Sequence, residues 1–444
     1  MSFLVVGLSY RTAPLGLLER LTIADGRQIK ALADLAERSF VSEAAVLSTC
    51  HRIEVYAVAE RFHGAVADAR NFLSELAFVA PEDFSDHLYV YYDDAAVTHL
   101  FNVAAGVDSV VVGEDQILRQ VRAAWERARD EGVAGPRLSA LFRHALELGK
   151  RARSETAGGR RVTSLSQAAV ALAESRLGSL DGRRLVVLGA GEMGEGIAGD
   201  VASAATEADL VVASRTDERA RRLAERVGGR AVALGELPAA LADADALLTS
   251  TGASTQVVTA ADLETVVAMR NGRPLLIIDL GMPRDVDPAV CDLAGVTLLD
   301  LADVATFVKA STGASHDAAG TNQHDAGGTN QHAAGTVCSP DGMAKLRSIV
   351  ADEVSRFLDA QAARQVAPTL TALRARAEAL RTAEMGRYRQ RLSPMSDDQW
   401  ARVDTLTKAI LAKLLHEPTV RLKDATGSAR GERLAGAMQE LFDL

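Results

Sequence analysis

The residues best suited to chemistry are a cysteine and the basic side chain that follows it. Cys50 stands in the run LSTCHRIEVY, and Arg52 lies two positions further on. A neighbouring cation and a place on a connection can lower the pKa of a thiol and expose it, which favours a nucleophile. On the residues alone, a buried and inert cysteine fits about equally well. Cys291 and Cys338 lack such a setting, and we interpret them as a structural residue and a loop residue.

A glycine-rich run follows a predicted strand and opens a predicted helix, which is the setting in which such runs bind nucleotides. The run VVLGAGEMG begins at Val186. Its first glycine allows a tight turn, its second lets the backbone approach a pyrophosphate, and its third lets helix and strand pack closely. The helix N-terminal amides would face the phosphates. The predicted cofactor-binding residues here are Gly189, Ala190, Gly191, Glu192, Met193 and Gly194.

The end of the next predicted strand indicates which dinucleotide binds. An NAD enzyme places Asp or Glu there to bind the ribose 2′-hydroxyl, whereas this chain has Ser214, Arg215 and Thr216. A cation with hydroxyls suits a 2′-phosphate. We therefore expect NADPH, bound with the help of these three residues.

Strand and helix patterns predict an α/β multidomain chain. Residues 1–155 mix short strands with helices, which predicts an α+β catalytic domain with Cys50 on a connection between two strands. Residues 156–305 alternate strands with helices, which predicts a Rossmann-type NADP domain built on a parallel sheet. The predicted strands are 3–8, 44–47, 53–58, 184–188, 209–213, 244–249 and 274–279, and the predicted helices before residue 178 are 97–105, 116–130, 137–153 and 164–177.

Residues 306–444 predict a long helix and an all-helical dimerisation domain. A stripe of apolar residues recurs there at helical spacing. Because so long a stripe needs a partner, we expect a homodimer formed by helix packing, with packing inside one chain as the alternative. The stripe consists of Leu346, Val350, Val354, Phe357, Leu358, Leu370, Leu373, Ala377 and Leu380.

A low-complexity insertion is predicted at 311–340. The unit HDAAGTNQ at 316 is followed by HDAGGTNQ at 324. Its few apolar residues cannot offset the entropy of ordering, so the segment is predicted to be disordered. We interpret the regular spacing of His316, His324 and His332 as the result of a tandem duplication, and we expect no metal site.

Composition limits the classes of partner. The 444 residues carry a formal net charge of −10, so any binding of nucleic acid must come from local basic patches. One such stretch holds arginines at 374, 376, 381, 387, 389 and 391, and a solvated helical face explains it equally well.

The sequence contains no run of about 18 apolar residues that could span a bilayer. The apolar run at the N-terminus has no basic residue before it, so it fits a strand better than a signal peptide. Three cysteines argue against a disulfide framework. We expect a cytoplasmic protein that does not enter a membrane.

Five short runs, taken in order, resemble one known family. They are GLSYRTAP at 7–14, STCHRIE at 48–54, HLFNVAAG at 99–106 leading to Ser109 and GEDQIL at 113–118, LGAGEMG at 188–194, and KLLHEP at 413–418. With them the chain resembles the glutamyl-tRNA reductase family over nearly its whole length, apart from the insertion. The resemblance implies NADPH-dependent reduction of glutamyl-tRNA(Glu) to glutamate-1-semialdehyde, the first step of tetrapyrrole synthesis by the five-carbon route.

The resemblance also implies roles for individual residues. Cys50 would attack the ester that joins glutamate to tRNA, release the tRNA and hold glutamate as a thioester, which NADPH then reduces. His99 would assist proton transfer or orient the substrate, and Arg52 would pair with the substrate carboxylate. The implied substrate-binding residues are Thr49, His51, Arg52, Ser109, Glu114, Asp115, Gln116 and Gln120.

Two positions depart from the family pattern. Family members commonly carry Asn where this chain has His51, and a small residue where it has Arg119, for which a solvent-facing side chain is the favoured interpretation over a phosphate contact. The implied assembly is a V-shaped homodimer with its domains along a long helix. The family also suggests glutamate-1-semialdehyde aminomutase as a candidate partner, and the sequence leaves open whether the aldehyde passes directly to it.

Two other functions remain as alternatives. The middle block by itself would suit a shikimate-type dehydrogenase that acts on a small alcohol, with Cys50 incidental. A non-catalytic NADP-binding dimer that senses pathway status would suit the nucleotide motif and the helical block. The first leaves residues 1–120 unexplained, and the second gives no reason for the set Cys50, Arg52, His99 and Gln116.

Overall fold

The protein is described by a computed structural model that covers residues 2–23, 27–111, 114–156, 164–253, 255–313, 340–391, 395–426 and 429–444. These residues form two compact units, Met1–Val350 and Ala351–Leu444. Most of the predicted insertion lies outside the described residues, and so do Cys338 and the three histidines at 316, 324 and 332. Residues 311–313 and 340, at the two ends of the predicted insertion, belong to helices.

An antiparallel sheet of four strands forms the centre of the first block. The strands are β1 (Ser2–Ser9), β2 (Val41–Ser48), β3 (Arg52–Ala59) and β4 (Tyr89–Tyr92), in the order β2-β3-β1-β4. Strand β3 is buried along its whole length between β1 and β2. Residues 49–51 connect β2 to β3, so Cys50 lies at the end of the sheet, as the sequence predicts.

Six helices complete this block. They are α1 (Leu15–Leu21), α2 (Gln28–Ala36), α3 (Phe62–Ala77), α4 (Asp94–Ala104), α5 (Asp115–Asp130) and α6 (Pro136–Thr156). Helix α5 packs on β2 and against α6. This packing brings the start of α5, which carries Gln116 and Gln120, beside the connection at residues 49–51.

The second block is a parallel sheet of six strands with helices on both faces. Its strands are β5 (Arg184–Leu188), β6 (Asp209–Ser214), β7 (Arg230–Ala233), β8 (Ala246–Thr249), β9 (Leu275–Asp279) and β10 (Val296–Leu299), and its helices are α7 (Leu165–Leu177), α8 (Glu192–Ala204), α9 (Asp217–Val227), α10 (Leu237–Asp243), α11 (Ala260–Met269) and α12 (Leu301–Gly313). The strands lie in the order β10-β9-β8-β5-β6-β7. From β5 the chain adds strands first towards one edge, as β6 and β7, and then towards the other edge, as β8, β9 and β10, so the order reverses between β5 and β8. Dinucleotides bind in the crevice at such a point.

Continuous apolar strands explain this architecture. Strand β5 reads RLVVL, and alternate residues enter separate cores: Leu185 and Val187 on one face, Val186 and Leu188 on the other. Parallel strands that are covered on both faces need such continuous runs. The predicted Rossmann-type domain is confirmed, while β7 and β10, which the sequence analysis did not find, are short edge strands.

Three helices follow in the C-terminal block: α13 (Pro340–Arg391), α14 (Asp397–Asp424) and α15 (Ala429–Phe442). On α13, Val366, Leu370 and Leu373 form a core cluster with residues of α14 and α15, among them Leu415 and Leu422. Part of the predicted stripe is therefore covered within the chain, which is the alternative we had left open. Among the described residues, no helix has the length and apolar character needed to cross a bilayer.

Candidate active site and dinucleotide site

The connection that carries Cys50 is held in one conformation by Thr49. The Thr49 amide donates to the carbonyl oxygen of Arg52 at 2.9 Å. The Thr49 hydroxyl accepts from the amides of His51 at 3.1 Å and Arg52 at 3.2 Å. The resulting turn fixes the backbone on both sides of the thiol, as a nucleophile requires.

A narrow cavity gathers most of the predicted site residues. Its lining consists of Thr49, Cys50, His51, Arg52, Ser109, Glu114, Gln116, Ile117 and Gln120. The polar members come from two separate stretches of sequence, the 49–52 connection and the 109–120 segment. His99 does not line this cavity, and the side chain of Asp115 lies outside the described residues. Ile117 is the one lining residue that the sequence analysis did not name.

Cys50 and His51 contact each other directly. The Cys50 Sγ lies 3.0 Å from Nδ1 of His51. Burial, followed by the charge of Glu114, raises the pKa of the thiol to about 12. Burial, followed by the charge of Arg52, lowers the pKa of His51 to about 3. Both groups are therefore neutral at physiological pH, with the thiol as donor and Nδ1 as acceptor. The other ring nitrogen, Nε2, is buried without a hydrogen-bond partner.

Glu114 is the carboxyl group of the cavity. It is 6% exposed, and its burial raises its pKa to about 7, although a hydrogen bond from Ser109 favours the charged form. The group thus changes charge within the physiological range. A carboxyl poised in this way beside a thiol is typical of a site that handles protons.

Arg52 is fixed by two acidic residues behind the cavity. Its Nη1 donates to Glu54 Oε1 at 3.0 Å and to Asp108 Oδ2 at 3.1 Å, and its Nη2 donates to the carbonyl oxygen of Asp108. Burial by itself would lower the pKa of Arg52, but Glu54 and the other nearby groups outweigh it and raise the pKa. Arg52 is therefore a permanent and immobile cation at the cavity wall.

Glu54 is fully buried and collects four hydrogen bonds. Besides Arg52, it accepts from Tyr56 at 2.5 Å and from Tyr89 at 2.6 Å, and Nε2 of His99 lies 2.8 Å from its Oε1. Burial alone would raise the pKa of Glu54, but Arg52 and His99 overcome this and hold it far below the usual range. The predicted catalytic residue His99 thus contacts Glu54 and not the thiol.

The glycines of the dinucleotide run fit their predicted roles. Gly189 has φ of 120°, and a Cβ there would collide with the carbonyl oxygen of Ser250. A Cβ at Gly194 would collide with the carbonyl oxygen of Gly189. At Gly191, the N-cap of α8, a Cβ would meet nothing within 4 Å, so the space that a pyrophosphate needs is open. These residues fit a dinucleotide.

The residues after β6 supply the cation that a 2′-phosphate needs. Ser214 ends β6 and is nearly buried, and Arg215 and Thr216 are exposed beyond it. The Ser214 hydroxyl accepts from the Thr216 amide at 3.4 Å, which orders the turn. The arginine is free to reach a phosphate at the carboxyl end of the sheet.

Arg119 reaches the dinucleotide run from the first block. Its Nη2 donates to Oε1 of Glu192, at the N-terminus of α8. As expected, the Arg119 side chain is exposed to solvent, at 59%, and it also pairs with an acidic residue of the nucleotide-binding block. The contact places the segment of Gln116 and Gln120 close to the phosphate end of the dinucleotide site.

Family models cover the chain in three parts. Residues 6–156 match the model described as "Glutamyl-tRNAGlu reductase, N-terminal domain", residues 171–307 match "Shikimate / quinate 5-dehydrogenase", and residues 345–444 match "Glutamyl-tRNAGlu reductase, dimerisation domain". The middle match agrees with the observed parallel sheet and with use of NADPH.

Relatives match over the whole chain. The glutamyl-tRNA reductase of Frankia alni is 38% identical, with 100% of this chain and 96% of the relative covered. Glutamyl-tRNA reductase 1 of a Nocardioides species is 40% identical, again with 100% and 96% covered. Among solved structures, the glutamyl-tRNA reductase of Methanopyrus kandleri is 27% identical, with a TM-score of 0.46 and 100% and 99% coverage. The identities of 38% and 40% over nearly the full length of the first two relatives mean that the chain belongs to the glutamyl-tRNA reductase family.

Proposed function

We propose that Cys50 is the nucleophile through which this member of the family reduces glutamyl-tRNA to glutamate-1-semialdehyde with NADPH. One observation carries the proposal: the thiol shares a cavity with seven polar residues that were named from the sequence. The reaction opens tetrapyrrole synthesis. Because charged tRNA is a cytoplasmic substrate, we assign the enzyme to the cytoplasm.

The first step transfers glutamate from tRNA to the thiol. The sulfur attacks the ester carbonyl carbon while the thiol proton passes to Nδ1 of His51, 3.0 Å away. The bond between that carbon and the tRNA oxygen then breaks, and the departing hydroxyl takes the proton back from His51. The net result is a thioester on Cys50, uncharged tRNA and a neutral His51.

The second step reduces the thioester. Bound NADPH supplies the hydride that reduces the carbonyl carbon. The bond between carbon and sulfur breaks, the aldehyde leaves, and the Cys50 sulfur takes up a proton. The cavity limits the access of water, which would otherwise hydrolyse the thioester. A thioester suits this step because its carbonyl is less stabilised by resonance than that of the ester.

Substrate recognition rests on groups that are already in place. Glu54 and Asp108 hold the guanidinium of Arg52 at the wall, where it offers a positive charge to the substrate carboxylate. Gln116 and Gln120 lie one turn apart on α5 and line the same cavity. His99 is then a positioning residue, since it acts through Glu54. We assign Asp115 to the same segment from the resemblance only.

An exposed apolar face of the helical block supports a homodimer. Along α14, Leu406, Ile410 and Leu414 are four residues apart and 59%, 56% and 67% exposed. An apolar stripe of this kind on a domain matched as a dimerisation domain indicates a homodimer.

Glutamate-1-semialdehyde aminomutase is the proposed recipient of the aldehyde. The shikimate-type alternative accounts for residues 171–307 only.

Replacing Cys50 with Ser tests the nucleophile. We expect Cys50→Ser to abolish both tRNA release and NADPH oxidation, because a hydroxyl is a far weaker nucleophile at neutral pH. The measurement is NADPH oxidation with glutamyl-tRNA, with free glutamate and uncharged tRNA as controls. A folded Cys50→Ser variant that keeps its activity would mean that the thiol is incidental and would favour the dehydrogenase alternative.

His51→Asn separates proton acceptance from hydrogen bonding. The amide, which family members commonly carry here, keeps a polar group near the sulfur but cannot take up a proton, so a slowing of tRNA release by roughly tenfold would mark a role of His51 that is particular to this chain. The rate at which NADPH reduces a preformed thioester should stay near that of the wild type. Equal tRNA release by the two proteins would show that His51 does not accept the proton.

Glu114→Gln tests the charge beside the thiol. Because the charge of Glu114 raises the thiol pKa, its removal should speed alkylation of Cys50 by iodoacetamide at pH 9 by about tenfold, or about one pKa unit. Below pH 7 Glu114 is already protonated, so the two proteins should react alike there. Cys50→Ser corrects for alkylation of the exposed Cys291. A difference that persists at pH 5 would contradict this assignment.

Ile410→Glu tests the homodimer. A charge in the centre of the α14 stripe should shift the protein from dimer to monomer, measured by light scattering during gel filtration. Ile29→Glu is the matched control, because Ile29 is 54% exposed on α2 in the first block. A dimeric Ile410→Glu variant would place the interface elsewhere.

A further inference from the structure

A partly buried ion pair joins the first block to the nucleotide-binding block. Glu19 lies on α1 of the first block, and Arg284 lies in the loop after β9 of the nucleotide-binding block. Glu19 Oε1 accepts from both the amide and Nε of Arg284 at 2.8 Å, and its Oε2 accepts from Nη2 at 2.9 Å. The side chains are only 15% and 26% exposed. Three hydrogen bonds in fixed directions make this more than an ordinary surface pair.

From Arg284 the contacts lead to the dinucleotide run. The next residue, Asp285, is fully buried and accepts from both the amide and the hydroxyl of Thr251. Ser250 and Thr251 pack directly on Gly189, since a Cβ there would touch both of them. The loop after β8 is thus held between Asp285 and the first glycine of the motif. This loop borders the crevice between β5 and β8 where the dinucleotide binds.

From Glu19 the contacts lead to the nucleophile. Helix α1 ends at Leu21, and the amide of Ile23 donates to the Ser48 hydroxyl at 3.2 Å. Ser48 is the last residue of β2, two positions before Cys50. One short helix therefore connects the Glu19–Arg284 pair to the strand end from which the Cys50 connection starts.

In the described part of the chain, several other contacts between the blocks constrain direction less, among them the Lys309 ammonium, which lies 5.9 Å from the centre of the Tyr10 ring. Val110 and Val111 of the first block are buried in the core of the nucleotide-binding block, and Tyr10 packs against the same core. Apolar contacts hold surfaces together but allow small sliding and rotation. The Arg119 contact to Glu192 is 59% and 62% exposed and adds little constraint. The Glu19–Arg284 pair differs from these contacts in being partly buried and in having three directional hydrogen bonds.

We propose that Glu19 and Arg284 are positioning residues for hydride transfer: they set the orientation of the dinucleotide site relative to the Cys50 connection. The inference rests on the proposed function but concerns its second step alone. Formation of the thioester needs only the first block and tRNA. Reduction also needs the nicotinamide ring at the thioester carbon, so only reduction depends on the pair.

Glu19→Ala tests the proposal because alanine preserves helix α1 while removing all three acceptor contacts. In single-turnover assays with glutamyl-tRNA, tRNA release without NADPH should stay within about twofold of the wild type. NADPH oxidation by the preformed thioester should fall roughly 10- to 100-fold, the cost of a small misplacement of reacting atoms. NADPH affinity, followed by its fluorescence, should not change. Arg284→Lys, which keeps the charge but loses the fork, should show a smaller fall in the same step.

The matched control is Glu75→Ala. Glu75 lies on α3 and pairs with Arg38 through two hydrogen bonds, entirely within the first block. It should leave both steps unchanged. If Glu19→Ala slows both steps alike, or neither, the positioning role is wrong. Hydrogen exchange gives a readout without activity: the Arg284 amide should exchange faster in Glu19→Ala and not in Glu75→Ala, and unchanged exchange would also overturn the proposal. If instead Cys50→Ser still releases tRNA, the proposed function fails, whatever the pair does.

Discussion

The buried ion pair between Arg52 and Glu54 is the constraint on which the site depends. Both residues lie on β3, 2% and 0% exposed, and two residues apart they share one face of the strand. Removing one partner of such a pair typically costs about 3–5 kcal/mol, because the other charge stays buried alone. The pair is therefore stable only if neighbouring groups satisfy its remaining hydrogen bonds. Tyr56 and Tyr89 donate to Glu54, and Asp108 accepts from Arg52. Since Glu54 is held charged by a lowered pKa, its contribution to stability is present above about pH 4.5, the ordinary pKa of Glu, and is lost as the pH falls through the lower folded value.

The Arg52–Glu54 pair fixes the positions of Cys50 and His51 but leaves both groups uncharged while no substrate is bound. Strand β3 begins at Arg52, so the turn at residues 49–51 leads directly into a residue that is held in place. Cys50 and His51 face each other there as neutral groups, since burial disfavours charge on either. A neutral thiol is slow to oxidise or to attack an unspecific electrophile. In the proposed reaction, the proton moves to His51 only as the bond between sulfur and a bound ester forms, so the substrate would determine when the thiol acts.

Much of this arrangement could be predicted from the sequence, and the exceptions have physical reasons. The run around Gly189 and the apolar strands identified the nucleotide-binding block, because parallel strands and tight turns leave strong local patterns. Strands β7 and β10 were not predicted, because each is only four residues long and half exposed at an edge of the sheet. The partners of Glu54 could not be found by spacing, since Tyr89 and His99 lie 35 and 45 residues away. A charged residue in an otherwise apolar strand was the available signal that such partners exist. The resemblance named His99, but only the fold shows that it supports Glu54 and leaves the thiol to His51.

The same distinction between buried and exposed ion pairs bears on how this acidic chain could bind tRNA. Of the arginines between 374 and 391, Arg381 is 11% exposed and binds both Glu378 and Asp404, so it belongs to the helical packing. Arg387 and Arg389 pair with acids at 60% and 66% exposure, where water and salt screen the attraction. A phosphate can replace a carboxylate at such a site with little loss, because the arginine exchanges one anion for another. The basic stretch thus contains one structural arginine, Arg381, and at least two exposed arginines, Arg387 and Arg389, whose acidic partners a phosphate could replace. With a net charge of −10 over the whole chain, any contact with the phosphates of tRNA must come from local, exposed arginines such as these, since the overall charge of the chain repels a polyanion.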